Sequence, residues 1–209
     1  MEFYEELQLK LFDAEDEGLI NLETWFNNPF VPSPEIEKYH LPSLFSEIYQ
    51  KSDGMKISWK ATKAEQAYGN MKFLKIESVL SSSWSENLLF EPEDLEMDER
   101  LGFFRPFDQV SPEILCGFII TPDETYESIY VHDVGRTSVT SLDVNFEGYT
   151  TMLYESRTYK NWPHILLSLK EGKLENSLIT DFKADMPKLF PDFDWNKYVE
   201  HYERCRLNL

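Results

Sequence analysis

The sequence predicts an α+β fold in which a single, mainly antiparallel, twisted sheet packs against helices and is followed by a C-terminal helical extension. Apolar and polar residues alternate over short stretches in the middle of the chain, and short connections join those stretches, which predicts the sheet. Apolar residues at helical spacing toward both ends predict the helices. The predicted strands are 56–60, 71–78, 114–121 and 128–133. The expected core residues on these strands are Ile57, Phe73, Phe118 and Ile129.

The N-terminal part of the chain contains two predicted helices. Apolar residues recur every four positions over residues 3–12 and predict a short helix there. A second helix is expected to start with Pro42 at its first position, where the missing N–H costs nothing. It should stop at Ser52-Asp53-Gly54, because glycine is the usual residue just beyond a helix C-terminus.

Two predicted strands follow the second helix. Residues 56–59 alternate Ile57 and Trp59 with polar neighbours, and a turn around Gly69 and Asn70 leads into the strand at 71–78. The acidic stretch that comes next, residues 81–100, is either a loop or an irregular helix.

The C-terminal part of the chain is predicted to be helical. Ser141 or Asp143 can cap the first of these helices. The inner face of that helix is expected to carry Phe146, Tyr149, Met152, Leu153 and Ser156. Further helices are expected at 162–169, about 175–189 and 195–206, the last with Asp194 as its N-cap. Because no glycine- and serine-rich linker interrupts the chain, residues 1–209 should form a single domain.

The chain is strongly acidic, with 38 acidic and 20 basic residues and a net charge of −18. The imbalance is greatest over residues 76–135, which contain 14 acids and only Arg100 and Arg105 as bases. Such a surface lacks the clustered lysines and arginines that bind nucleic acid, and it repels anionic membranes. It attracts basic proteins, although ordinary solubility is an alternative reason for the charge.

Cysteine content and the N-terminal sequence predict a cytoplasmic protein. Cys116 and Cys205 are too few for a disulfide framework, which favours a reducing compartment. The first residues, MEFYEELQLKLF, carry acids where a signal peptide carries bases. No apolar run approaches the roughly 20 residues that span a bilayer.

The sequence shows no recognisable catalytic, cofactor or metal site. No glycine-rich phosphate loop and no zinc-type spacing is present. His132 and Asp133 are adjacent on a predicted strand, so their side chains should point to opposite faces and not orient each other for acid–base chemistry. A calcium loop starting at Asp13 is rejected, because its twelfth position is Thr24 and not glutamate.

The acidic stretch near the middle of the chain is the candidate contact surface. Its carboxylates are Glu91, Glu93, Asp94, Glu96, Asp98 and Glu99. Trp84 and Phe104 flank it, and aromatic side chains beside charges that lose water on binding form interface hot spots. These residues are therefore predicted to bind a basic partner, the alternative being a charged surface loop without a partner.

The order of several motifs resembles the SUKH superfamily, named after the fungal Smi/Knr regulators. These motifs are LPSLFSEIYQKSDGMKISWK (41–60), FFRPFD (103–108), the Asp133 segment, and SLDVNFEGYTTMLYESRTYKNW (141–162). Asp108 stands where the family usually has glycine. The resemblance covers about residues 38–169, so residues 170–209 are the helical extension and residues 1–37 lie outside it.

The resemblance implies an α+β fold and no enzyme activity. Bacterial members bind and neutralise polymorphic toxins, many of them nucleases, and fungal members act as scaffolds that control glucan and chitin synthesis. The resemblance therefore leads us to expect an immunity protein whose partner is a basic, nuclease-type toxin, without a cofactor. A regulatory scaffold, or an enzyme with a site built from scattered carboxylates, are the alternatives.

Overall fold

A computed structural model describes residues 3–30, 39–64, 66–81 and 92–207. The strands are β1 (Ile20–Phe26), β2 (Met55–Ala61), β3 (Tyr68–Phe73), β4 (Phe104–Ser111), β5 (Ile114–Ile119), β6 (Tyr130–Asp133) and β7 (Thr140–Ser141). The helices before β4 are α1 (Phe3–Asp16), α2 (Ser43–Lys51), α3 (Ile76–Val79), α4 (Pro92–Met97) and the 3-10 helix η1 (Glu99–Phe103). The helices after β7 are α5 (Phe146–Glu155), α6 (Trp162–Lys170), α7 (Ser177–Leu189) and α8 (Trp195–Cys205).

The strands form one antiparallel sheet in chain order, from β1 to β7, which confirms the predicted α+β class. Neighbouring strands in the sheet are also neighbours along the chain, as expected when short connections join antiparallel strands. The four predicted core residues, Ile57, Phe73, Phe118 and Ile129, are buried. The prediction of a single sheet with these residues in its core is therefore confirmed.

The inner face of the sheet is covered by α1, α2 and the four C-terminal helices. Its centre is an aromatic cluster in which the rings of Phe107 and Phe118 lie 4.8 Å apart, with Phe45 and Phe146 within 6 Å of both. Residues of α7 and α8, such as Phe182 and Tyr202, belong to the same buried cluster as the strands. The C-terminal helices thus complete the core over the inner face.

The segment around Gly69 differs from the predicted turn, because Gly69 lies inside β3. A side chain at this position would overlap the indole nitrogen of Trp59 and the hydroxyl of Thr158. The indole N–H of Trp59 donates to the carbonyl oxygen of Arg157 at 2.7 Å. Glycine is therefore required by close packing here and not by a turn.

The predicted strand at 71–78 is too long, because β3 ends at Phe73. The carboxylate of Asp53 accepts a hydrogen bond from the N–H of Ile76 at 2.8 Å, and residues 76–79 form the short helix α3. The hydroxyl of Tyr49 also donates a hydrogen bond to the carbonyl oxygen of Leu74 at 2.6 Å. Polar side chains from the preceding loop and helix thus bind the backbone of residues 74–76. These residues therefore do not continue the strand β3.

The predicted N-termini of two helices differ from those in the structure, and one is confirmed. Asn145, and not Ser141 or Asp143, caps α5, since its side chain accepts from the N–H of Gly148. Asp143 instead has a left-handed φ of 55° and pairs with Lys170 at 2.8 Å. Pro42 precedes the first residue of α2. The predicted Asp194 cap of α8 is confirmed.

The first strand is an addition that the sequence did not predict. Residues 13–24, whose spacing excluded a calcium loop, form the end of α1 and most of β1. β1 lies at the edge of the sheet, and only Ile20 among its residues is buried. An edge strand needs little apolar alternation, which explains why the sequence pattern of β1 is weak.

Candidate functional site

The candidate site lies on the outer face of the sheet, opposite the main core. Alternation along the strands decides which side chains lie there: on β2, Lys56, Ser58 and Lys60 are exposed to different degrees while their neighbours are buried. On β5, Leu115 and Ile119 belong to a small outer cluster, whereas Cys116 and Phe118, which alternate with them, belong to the main core. The outer face therefore has an apolar half on β4–β6 and a polar half on β1–β3.

The apolar half is covered by a ridge, which is α4 together with η1 (residues 92–103). Leu95, Leu101 and Phe103 of the ridge pack on the outer cluster of the sheet. The cluster residues beneath them are Phe104, Leu115, Ile119, Tyr130 and Val139. This packing explains why an acidic segment is ordered here: three of its apolar side chains, Leu95, Leu101 and Phe103, pack on the sheet.

Asp98 fixes the ridge to the sheet and is not a free surface charge. Its carboxylate accepts from Nε of Arg100 at 2.7 Å, from Nη2 of Arg100 at 2.8 Å and from the N–H of Val139 at 3.2 Å. Burial alone would raise the pKa of Asp98, but these hydrogen bonds and the charge of Arg100 outweigh burial and lower that pKa below its usual value.

The predicted contact residues separate into exposed and buried groups. Glu93, Glu96 and Glu99 are exposed on the ridge, and Asp94 is half-buried. Trp84 and Glu91 lie outside the described residues. Between the acids, the side chain of Met97 is 74% exposed, the most exposed large apolar residue of the described chain.

The prediction that Phe104 and Asp98 lie on the contact surface is corrected by their burial. Phe104 is only 2% exposed, because it begins β4 on the outer face directly beneath the ridge. Asp98 is also buried, since it binds the backbone N–H of Val139. Neither side chain can offer contact area to a partner in this structure, so the contact surface of the ridge consists of Glu93, Glu96, Met97 and Glu99.

The polar half of the outer face is an open cleft of about 620 Å³ over β1, β2, β3 and the end of β4. Its lining includes Asn21, Glu23, Lys56, Ser58, Lys60, Tyr68, Asn70, Lys72 and Gln109. The three lysines and one glutamate give this cleft a local net charge of +2 on a chain whose net charge is −18. Lys56 and Lys60 form no ion pair with any described residue.

Strand register concentrates this positive charge. Lys56 and Lys72 are directly opposite each other on β2 and β3, and Nζ of Lys72 donates to Oε1 of Gln109 at 3.0 Å. Like charges at directly opposite positions repel and destabilise a sheet. Aromatic side chains flank them: Trp25, 53% exposed, lies opposite Lys56, and the half-exposed Tyr68 lies opposite Lys60. This group of lysines was not predicted from the sequence, although lysines spaced by even numbers along a predicted strand indicate a shared face.

The cleft exists because β4 diverges from β3. The ladder between these strands has one residue pair, Phe73 with Asp108, and β4 contains an irregularity between Pro106 and Asp108. Side chains replace the missing ladder bonds: Asp108 accepts from the N–H of Lys72 at 2.9 Å, and Nδ2 of Asn70 donates to the carbonyl of Val110 at 2.9 Å. Asp108 thus has a structural role at the position where the resembling family has glycine.

Asp108 is the most perturbed carboxyl group of this region. It is fully buried, and its Oδ2 accepts a hydrogen bond from the hydroxyl of Tyr149 at 2.7 Å. Burial raises the pKa of Asp108 to about 6, against the lowering effect of the hydrogen bonds from Tyr149 and Lys72. Because no solvent reaches this carboxyl, its chemistry concerns stability and not a substrate.

The side chains of His132 and Asp133, the pair considered for acid–base chemistry, point to opposite faces of the sheet, as predicted. His132 lies beside the ring of Phe104, and burial lowers its pKa. Asp133 turns to α6, where its carboxylate lies 2.9 Å from Nε2 of His164, and this hydrogen bond lowers the pKa of Asp133. No group of three potential metal ligands is found among the described residues.

Comparison of the chain with models of protein families, with curated proteins and with solved structures finds no match. The resemblance to the SUKH superfamily therefore rests on its motifs and stays a prediction. No helix within the described ranges is long and apolar enough to cross a membrane.

Proposed function

We propose that this chain is a non-enzymatic binding protein, and that it acts as an immunity protein of SUKH type by neutralising a basic toxin. The observation that carries the proposal is the ridge, which presents Glu93, Glu96 and Glu99 around the exposed side chain of Met97. Its inner side is held by apolar packing and by Asp98. A partner would therefore meet carboxylates on a preordered support.

Electrostatics favour a nuclease-type toxin as the partner. A nuclease site is basic because it holds phosphates, and carboxylates on a rigid ridge can occupy such a site in place of the phosphates. Opposite charge raises the association rate and orients the two proteins, while an apolar side chain at the centre supplies contact area that excludes water. Met97 among the acids of the ridge has this arrangement.

The cysteines support a cytoplasmic location for this function. Cys116 is a buried free thiol and Cys205 is a partly buried free thiol. Free thiols persist in reducing compartments, where disulfides are rare. A toxin that acts inside cells would be met in that compartment.

A regulatory scaffold of Smi/Knr type is the second candidate function. The observation that favours it is the open cleft lined by Lys56, Lys60 and Lys72, called here the lysine cleft. It is a second potential contact surface on the same face, and its net charge is opposite to that of the ridge. A scaffold needs at least two contact surfaces, whereas neutralising a toxin needs only one.

The test of the immunity function is charge reversal on the ridge. The triple variant Glu93→Lys, Glu96→Lys and Glu99→Lys should slow association with a basic toxin domain encoded beside this gene by at least about tenfold, because steering by opposite charges is lost. The rate is measured by stopped-flow fluorescence at low and physiological salt. The salt dependence should flatten in the variant, since screening by salt acts on the same charges.

The matched control reverses three exposed acids elsewhere, Glu17, Glu127 and Glu175, and so changes the net charge equally. It should reduce the rate by less than about threefold, because only local charges orient the encounter. Equal slowing by both variants would show that the ridge is an ordinary solvated surface. A toxin domain that does not bind the wild-type chain would contradict the immunity function itself.

A further inference from the structure

We propose that the outer face is self-complementary, and that two copies of this chain dock face to face with the ridge of each copy in the lysine cleft of the other. The proposal goes beyond the binding of a toxin. It depends on three features of the outer face: its charges, its apolar side chains and the position of ridge and cleft relative to each other.

The charges of the two surfaces are opposite. The ridge exposes Glu93, Glu96 and Glu99, whereas Lys56, Lys60 and Lys72 line the cleft. Lys56 and Lys72 lie directly opposite each other, so that a carboxylate inserted between them would relieve their repulsion. The net charges of the two surfaces are thus opposite in sign.

The apolar side chains also match. Exposed ion pairs contribute little by themselves, so a stable contact needs apolar area at its centre. The ridge supplies Met97, and the cleft supplies Trp25 and Tyr68 at its border. Methionine sulfur makes favourable contacts with aromatic rings.

The two surfaces adjoin on one face, which is the condition for a symmetric dimer. Gln109 lines the cleft, and Leu115, its direct neighbour across β4 and β5, lies beneath the ridge. A two-fold axis parallel to the sheet and passing between ridge and cleft brings each ridge over the opposite cleft. Both contacts then form at once, as in the isologous interfaces of most homodimers.

A second copy fits this face better than a nucleic acid. Glu23 lies among the lysines of the cleft, opposite Ser58, and the acidic ridge stands beside them, so that a phosphate backbone crossing the face would meet carboxylates. The ridge of another copy presents three exposed glutamates and one exposed methionine, which match the three lysines and the bordering aromatic side chains of the cleft. A dimer of this kind covers the ridge, and a toxin would therefore compete with dimerisation.

The experiment is a charge swap followed by sedimentation velocity at physiological salt and at concentrations from about 5 to about 500 µM, the range of weak self-association. The ridge variant carries Glu93→Lys, Glu96→Lys and Glu99→Lys, and the cleft variant carries Lys56→Glu, Lys60→Glu and Lys72→Glu. The wild type should dimerise, and each variant alone should dimerise at least about tenfold more weakly, since like charges then face each other.

The equimolar mixture of the two variants is the decisive measurement. In a heterodimer every reversed ridge faces a reversed cleft, so dimerisation should recover to within about threefold of the wild type. Circular dichroism of each variant confirms that it is folded. A wild type that stays monomeric over the whole range, a dimer that persists in both variants, or a mixture that does not recover would each overturn the proposal.

Toxin binding separates this proposal from the proposed function. The cleft variant should lose the dimer but keep, or increase, the rate of association with a basic toxin domain, because its ridge is intact. Loss of toxin binding in the ridge variant together with a monomeric wild type would support the immunity function alone. A dimer without toxin binding would support the self-docking face alone.

Discussion

Replacing Trp59 with alanine should lower the free energy of unfolding by about 4 kcal/mol, measured by urea denaturation at neutral pH. Trp59 is 1% exposed and packs against Phe190, with ring centroids 5.5 Å apart. Its indole N–H is also the donor to the carbonyl of Arg157, which lies in the connection between α5 and α6. The substitution removes both the packing and the hydrogen bond between the sheet and that connection.

The backbone of that connection makes the loss larger than for an ordinary core residue. Arg157 and Thr158 have left-handed φ angles of 50° and 57°, a conformation that non-glycine residues adopt at an energetic cost. The N–H of Asn70 donates to the carbonyl of Thr158 at 2.9 Å. This bond and the one from Trp59 both stabilise the left-handed conformation. Without Trp59, the side-chain hydrogen bond to this connection is lost, and the backbone hydrogen bonds of Asn70 and Tyr68 to it remain.

Trp25 provides the matched control for Trp59. It lies on the neighbouring strand and is 53% exposed, so Trp25→Ala should change stability by less than about 1 kcal/mol. Trp59→Phe keeps most of the packing but leaves the carbonyl of Arg157 without this donor, and should cost about 2 kcal/mol. If Trp59→Ala cost no more than Trp25→Ala, the assignment of Trp59 as the link between sheet and helices would be wrong.

Asp108 should make the protein less stable as the pH rises from about 4 to about 6. An unfolded aspartate has a pKa of about 3.9 and releases its proton in this range, whereas the folded protein, in which the pKa of Asp108 is about 6, still holds it. The folded state therefore binds more protons, and its stability falls with rising pH. The whole window corresponds to about 3 kcal/mol, of which about 1.4 kcal/mol lies between pH 5 and pH 7.5.

Asp108→Asn tests this contribution. Its side-chain oxygen can still accept from the N–H of Lys72, and its amide can donate to the hydroxyl of Tyr149, but it cannot ionise. From pH 5 to pH 7.5, the unfolding free energy of the variant should gain about 1.4 kcal/mol relative to the wild type. Asp123→Asn, at an exposed aspartate, should follow the wild type at both pH values. A constant difference between Asp108→Asn and the wild type would contradict the raised pKa.

The class of the fold and the positions of most elements could be predicted because they depend on neighbouring residues. Alternation at Ile57 and Trp59 predicts a strand with one buried face, and the apolar stripe of α5 predicts a helix that packs on that face. Asp194 caps α8 because its side chain reaches the N–H groups two and three residues ahead. Each of these outcomes is determined by groups a few residues apart.

The candidate site could be predicted only in part. The sequence identified the acidic stretch, and the structure exposes Glu93, Glu96 and Glu99 there. It did not indicate that Asp98 would be buried, because the N–H group that receives its carboxylate belongs to Val139, 41 residues away. The composition of a segment gives the number of its charged side chains. It does not show which of them are buried in hydrogen bonds or ion pairs with distant residues.

The sequence by itself determined the α+β class, the alternation of the strands, the helix stripes and the excess of acid, since all of these are local properties of the chain. Only the tertiary structure decided that Phe104 is covered, that Asp108 joins β3 to β4, and that Lys56 and Lys72 meet across two strands. The physical reason is that burial and electrostatic environment depend on strand register and on contacts between distant residues. A residue acquires its pKa, its exposure and its partner from neighbours in space.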